Sequence, residues 1–182
     1  MIIALTGTPG TGKTSISKVL AENGFETIDL NKIAQEQGFI IGRDEKRDTN
    51  IVDIEKLEDF IKNNYSSKNI VFVEGHLSHL LKCADKIIIL RCHPKVLRSN
   101  LSIRNWKEKK IRENVEAEIL DVILCEALEV HSEEKILEID VTNKNVYDAA
   151  SLIIDLTKKG FKNREKYKIG NIDWSEEILK DF

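Results

Sequence analysis

Gly7, Gly12, Lys13 and Thr14 stand in the run GTPGTGKT at the spacing G-x-x-x-x-G-K-[ST]. Residues of these types in this order suit one task, which is to wrap an oligophosphate. Glycines let the backbone curl until successive N–H groups point inward at phosphate oxygens, and a helix that starts there adds the partial positive charge of its N-terminus. Lys13 is placed to reach β and γ phosphates, Thr14 to offer a hydroxyl to Mg²⁺, and Ser15 to assist at the α phosphate. The competing reading is a glycine-rich turn with a chance lysine. An apolar strand before the run and a helical pattern after it weigh against that.

A second acidic signal lies in Val73-Glu74-Gly75-His76. If Asn69–Val73 is a strand of the same sheet, Glu74 falls at its carboxyl edge, on the side of the glycine-rich loop, where it can hold waters of Mg²⁺. The alternative is an ordinary strand-end glutamate. His76 either orients a water or the γ phosphate, or starts a helix with its ring in solvent. His76 and His79 lack a third ligand at matching spacing, so no zinc site is expected.

Arginines gather in two places: Arg43 and Arg47, with Lys46, in a polar stretch, and Arg91, Arg98, Arg104 and Arg112 on or around a charged interruption. A planar guanidinium suits phosphate oxygens, and an enzyme that moves a phosphoryl group between two nucleotides needs such donors on both sides of it. Arg104, near the hinge of the interruption, is the strongest of them, while Lys107-Glu108-Lys109-Lys110 reads as a solvated face. Trp106 either caps this segment or packs beneath it.

Five apolar runs must position these groups: Met1–Leu5, Phe25–Leu30, Asn69–Val73, Asp85–Leu90 and Ile136–Ile139. Helical patterns separate them, at Thr14–Asn23, Asn31–Gln37, from Asp53 as N-cap, from Pro94 at a first helical position, along Asn114–His131, and along Asn145–Lys158. The alternation predicts an α/β fold of P-loop NTPase type, a five-stranded parallel sheet flanked by helices. The stretch Gly42–Asn50 has no clear period. The tail from Gly160 to Phe182 carries Ile172, Trp174, Ile178 and Leu179 and is expected to dock on the domain or on a partner.

With 182 residues, 28 Lys plus Arg against 31 Asp plus Glu, and 41% apolar residues, one domain with a sizeable core is expected. The slightly acidic balance gives no general affinity for nucleic acid, although a basic segment could still touch a phosphate backbone, which leaves direct RNA contact open. No apolar run approaches the roughly 20 residues of a bilayer span, and the N-terminus has no basic leader, so a cytoplasmic protein with no membrane partner is expected. Cys83, Cys92 and Cys125 form no C-x-x-C pair. A guanine-reading Asn-Lys-x-Asp is absent too: Ala34 and Val146 stand where the aspartate would follow the two Asn-Lys pairs.

GTPGTGKT, Val73-Glu74-Gly75-His76, Arg104-Asn105-Trp106, Glu113-Asn114 ahead of a long helix, and Gly170-Asn171-Ile172-Asp173-Trp174-Ser175-Glu176-Glu177 together cover nearly the whole chain. In these the chain resembles the adenylate kinase superfamily and, within it, the atypical short-lid branch called CINAP in animals, whose archaeal members are named as adenylate kinases. The resemblance implies a monophosphate-binding arm at about residues 30–52, a lid at about 103–113, and ATP with Mg²⁺. By position, Gly10, Gly12, Lys13, Thr14 and Ser15 would hold ATP and Arg104 would contact it from the lid. Lys13, Glu74, His76 and Arg104 would be catalytic, with Thr14 on the metal and Glu74 reaching it through water. It also implies ATP hydrolysis and a role in maturation of the small ribosomal subunit, through association with one of its proteins. Eukaryotic members carry aspartate and an aromatic where Glu74 and Gly75 stand, and an acidic arm where this one includes Arg43, Lys46 and Arg47.

The function expected is therefore nucleoside monophosphate kinase with ATPase activity. Two alternatives share the scaffold: an ATPase switch acting in assembly, and a kinase of a small metabolite that differs only in the arm.

Overall fold

The computed structural model describes residues 1–45, 49–65, 69–162 and 164–179. Among the described residues there are seven strands: β1 (Ile2–Gly7), β2 (Glu26–Asp29), β3 (Ile40–Asp44), β4 (Thr49–Val52), β5 (Val71–Glu74), β6 (Lys86–Arg91) and β7 (Ile136–Asp140). Five of them form a parallel sheet in the order β2-β5-β1-β6-β7. From β1 the chain passes to the edge strand β2, returns to β5 beside β1, and then crosses to β6 and β7 on the other side, so the carboxyl end of β1 lies where the connections change side, the place where open α/β sheets bind ligands.

Alternation along β1 divides the core into two layers. Ile2 and Ala4 pack with Leu57 and Ile61 of helix α3 (Ile54–Tyr65) and Ala127 of α6 (Val122–Val130). Ile3 and Leu5 pack on the other face, with Ile16, Val19 and Leu20 of α1 (Lys13–Glu22) and Ala149, Ala150, Ile153 and Leu156 of α7 (Val146–Lys158). Side chains of period two meet helix stripes of period 3.6 on each face, and a strand buried on both sides reads as an unbroken apolar run. Caps fix the entries of these helices: the Asp53 carboxylate accepts from Lys56 N at 3.1 Å, and the Asn145 side chain from Asp148 N at 2.9 Å.

Two segments differ from the sequence expectation. The aperiodic polar stretch forms an antiparallel hairpin, β3 with β4, with a register irregularity between Ile40 and Gly42. It projects from the sheet after α2 (Leu30–Glu36), with its side chains mostly exposed, so no buried face imposes an apolar alternation. Lys46 and Arg47 lie outside the described residues.

The helix expected over Asn114–His131 is two helices, α5 (Glu108–Ile119) and α6, and α5 begins inside the charged interruption. Asp121 breaks them by taking a left-handed φ of 53°. Arg91 holds it there through an ion pair, a tertiary contact that no helical period can reveal.

The tail docks on this chain. Trp174 and Ile178 pack against the cluster of Leu97 and Leu101 from α4 (Pro94–Ser102) and Ile111 and Val115 from α5, and Trp174 meets the His93 ring edge-on at 5.0 Å. Among the described residues, no helix is long and apolar enough to cross a membrane.

Candidate active site

The loop between β1 and α1 curls at Gly7, Gly10 and Gly12, with φ of 141°, 98° and 91°. At Gly7 a Cβ would lie 2.5 Å from the carbonyl oxygen of Leu90 on the neighbouring strand, so backbone would have to move to admit one. Gly7→Ala is accordingly expected to lower the thermal midpoint by several degrees and to weaken nucleotide binding, read by a melt with and without nucleotide; an unchanged melt would contradict the packing at β6.

Gly12 caps α1 without a side chain, which leaves the first amides of the helix for another acceptor. Lys13 is buried and donates to the carbonyls of Gly7, at 2.7 Å, and Thr8, at 3.1 Å. Burial lowers its pKa to about 8, Glu74 opposing this and Arg104 adding to it. An ammonium folded onto the glycine loop, beside the start of a helix that no side chain caps, suits a multiply charged phosphate chain, which would replace those carbonyls as its partner.

Glu74 ends β5 and is 5% exposed. Its Oε1 accepts from the Thr14 hydroxyl at 3.1 Å, so two hard oxygen donors meet beside the glycine loop, a set that suits Mg²⁺. Burial, and Asp29 on the next strand, push the Glu74 carboxyl above its ordinary value. His76 lies two residues on, half-buried, its pKa lowered to about 4 by burial and by the Lys13 charge, so its imidazole is neutral at physiological pH. Across the cleft Arg104 is exposed, 5.9 Å from the Trp106 ring centroid, with Lys110 at 4.7 Å from the same ring.

These groups share one cleft of about 790 Å³, lined among others by Gly10, Gly12, Lys13, Thr14, Ser15, Glu74, His76 and Arg104. A family model described as "AAA domain" matches residues 3–121. The chain is 42% identical over 180 residues, 98% of its length and 96% of the relative's, to the protein of Methanocaldococcus jannaschii named "Putative adenylate kinase". A protein of the same name from Archaeoglobus fulgidus is 44% identical over 181 residues, covering 98% of this chain and 94% of that one. The chain belongs to this adenylate kinase-like P-loop family.

Its fold is also that of more distant kinases. The shikimate kinase of Bacteroides thetaiotaomicron superposes with a TM-score of 0.61 at 18% identity, over 87% of this chain and 98% of that one. The shikimate kinase of Acinetobacter baumannii, in complex with shikimate, gives 0.58 at 20%, over 89% and 95%.

Family membership gives no role to the arginines, and the geometry separates them. Arg91 is 2% exposed and paired with Glu118, Asp121 and Glu138, so it braces the fold and faces no ligand. Arg98 is paired with Glu108 and Arg112 with Glu116. Of the arginines flanking the charged interruption, Arg104 alone lines the cleft.

Glu118 was not legible as a site residue. Its Oε2 accepts from the Thr8 hydroxyl at 2.5 Å and its Oε1 from Arg91 Nε at 2.9 Å and Cys92 N at 3.0 Å, which ties the glycine loop to the end of α5. Asn100 adds a bond of 3.1 Å to the Gly10 carbonyl. The only sequence signal for Glu118 is a charged residue on the apolar stripe of Val115 and Ile119.

Proposed function

We propose that this protein transfers the γ-phosphoryl group of ATP to a nucleoside monophosphate. The observation that carries the reading is the continuity of two clefts. The one holding Lys13, Glu74 and Arg104 shares Asn31, Thr49 and His76 with a second of about 460 Å³, lined also by Lys32, Gln35, Ile40 and Asn50 of α2 and the hairpin. A donor phosphate chain in the first and an acceptor in the second would meet beside His76.

Each residue then has a role. Gly10, Gly12 and Ser15 would surround the phosphates, and Lys13 would neutralise the β and γ oxygens. Thr14, with Glu74 through water, would hold Mg²⁺, which when bound draws charge from the departing diphosphate. Arg104 would close on the same oxygens from the lid and orient them in line with the incoming nucleophile. The bond from γ phosphorus to the bridging oxygen breaks as one to an acceptor phosphate oxygen forms, leaving ADP and a nucleoside diphosphate.

Hydrolysis is the second reading, favoured by the neutral His76 imidazole at the junction of the clefts, where it could orient a water. Purified protein incubated with Mg-ATP alone, then with each monophosphate, separates the two by the yield of nucleoside diphosphate; ADP without diphosphate would sink the kinase reading. His76→Ala is expected to reduce hydrolysis about tenfold more than transfer, and equal losses would contradict the water-orienting role. Membership of the short-lid branch, and association with a small-subunit ribosomal protein, are proposed from the resemblance alone. Pull-down of such proteins with and without ATP tests the association, and capture indifferent to nucleotide would contradict a switch.

A further inference from the structure

The tail reaches the glycine loop by two routes, although none of the described residues that line the cleft belongs to it. The first route is polar. Gly170 N donates to Glu138 Oε2 at 3.0 Å, and the other oxygen of Glu138 pairs with Arg91. Arg91 Nε donates to Glu118 Oε1 at 2.9 Å, and Glu118 Oε2 accepts from Thr8 in the loop at 2.5 Å. Thr8, Arg91, Glu118 and Glu138 are each no more than 3% exposed, so salt screens this chain of contacts little. The second route is packing. Trp174 and Ile178 lie on the cluster that holds Leu97 and Leu101, and those two leucines bear directly on Gly10, where a Cβ would lie 2.9 Å from Leu97 Cδ1 and 3.0 Å from Leu101 Cδ2. Asn100, on the same helix, donates to the Gly10 carbonyl at 3.1 Å. Docking also carries a cost: Trp174 Nε1 is buried with no hydrogen-bond partner, which leaves the docked tail less favourable than its apolar contacts alone would make it.

In the free protein Lys13 closes the loop on itself through the Gly7 and Thr8 carbonyls. A phosphate chain that takes the ammonium removes both bonds, and the curl must then be kept by contacts from outside, at Thr8 and at Gly10. Those contacts count for more with nucleotide bound than without it, which is the condition for coupling. We propose that residues 170–178 position the glycine loop, so that docking of the tail and binding of nucleotide favour each other. This rests on the reading of the loop as the seat of the phosphate chain. Trp174 is then a positioning residue, which acts on the phosphates only through α4 and the loop.

Titration of the full chain with Mg²⁺ and a non-hydrolysable ATP analogue, paired with amide hydrogen exchange, tests it. Trp174→Ala should raise the Kd for the analogue about tenfold, and Trp174→Phe, which keeps a ring and loses the unpaired N–H, should bring it within about twofold of the wild type. Because coupling is reciprocal, saturating analogue should slow exchange across residues 170–178 of the wild type by about tenfold. Thr8→Val combined with Asn100→Ala cuts the polar links, and in that background the effect of Trp174→Ala should shrink to about threefold or less. A tail that only adds stability would lower the melt of Trp174→Ala and leave exchange in the wild-type tail indifferent to the analogue. That indifference, an unchanged Kd in Trp174→Ala, or the full tenfold effect persisting in the cut background would overturn the assignment while leaving nucleotide binding intact. If Trp174→Ala does not fold, the exchange response of the wild type decides alone. A wild type that binds no analogue overturns the reading of the loop itself, and the assignment with it.

Discussion

Lys13→Ala is expected to abolish both transfer and hydrolysis, with a loss of about 10³-fold or more in kcat/KM for ATP, while the protein stays folded. The size of the effect follows from position. Lys13 is the only lysine among the described residues that is buried, its ammonium is bonded to two carbonyls of the glycine loop, and the alanine variant forfeits both those bonds and the charge that would meet the phosphates. Turnover within about tenfold of the wild type would show the loop to be a bystander.

A pH signature accompanies it. Burial holds the Lys13 pKa at about 8, so below that pH the free protein already carries the charge that a phosphate chain needs. Above it the amine is neutral, and binding must recapture a proton that the bound phosphates would then hold. Affinity for Mg-ATP is therefore expected to fall with rising pH above about 8, approaching tenfold per unit, and titration calorimetry in buffers of different ionisation enthalpy should register the proton taken up. Lys13→Ala should lose this dependence, and a wild-type affinity flat from pH 7 to 9.5 would contradict it.

The glycine loop and the sheet could be read from the chain because both are written locally. GTPGTGKT specifies a backbone path, and β1 and β6, buried on both faces, leave unbroken apolar runs at Ile2–Leu5 and Ile87–Leu90. Glu74 was legible because a strand end can be counted. What escaped lies in contacts between segments far apart. Glu118 is 110 residues from the Thr8 hydroxyl that it holds, and Glu126 is 47 from His79. Arg91 shows the reverse error: a strand-end arginine beside a basic cluster suggests a phosphate donor, and only the fold shows three carboxylates around it. The hairpin was hidden for another reason, because strands exposed on both faces carry no hydrophobic period.

The largest effect on stability should come from that arginine. Arg91→Met would leave Glu118 and Glu138, 3% and 2% exposed, facing each other and Asp121 without a cation. Removing one partner of a buried ionic cluster costs about 3–5 kcal/mol, since the remaining charges keep their desolvation penalty and lose its compensation. Burial already pushes the Glu138 carboxyl above its ordinary value even though Arg91 pulls it down. Without the guanidinium it should rise further, and a carboxyl whose folded pKa exceeds its unfolded one destabilises increasingly as pH climbs from the unfolded value towards the folded one. Urea unfolding of Arg91→Met should therefore show a loss relative to wild type that is smaller at pH 5 than at pH 8. A loss under about 1 kcal/mol, or one indifferent to pH, would refute the ionic account. Because Glu118 also holds Thr8, the variant that does fold should bind nucleotide more weakly, so the brace at the end of α5 sets the shape of the glycine loop as well as the stability of the sheet behind it.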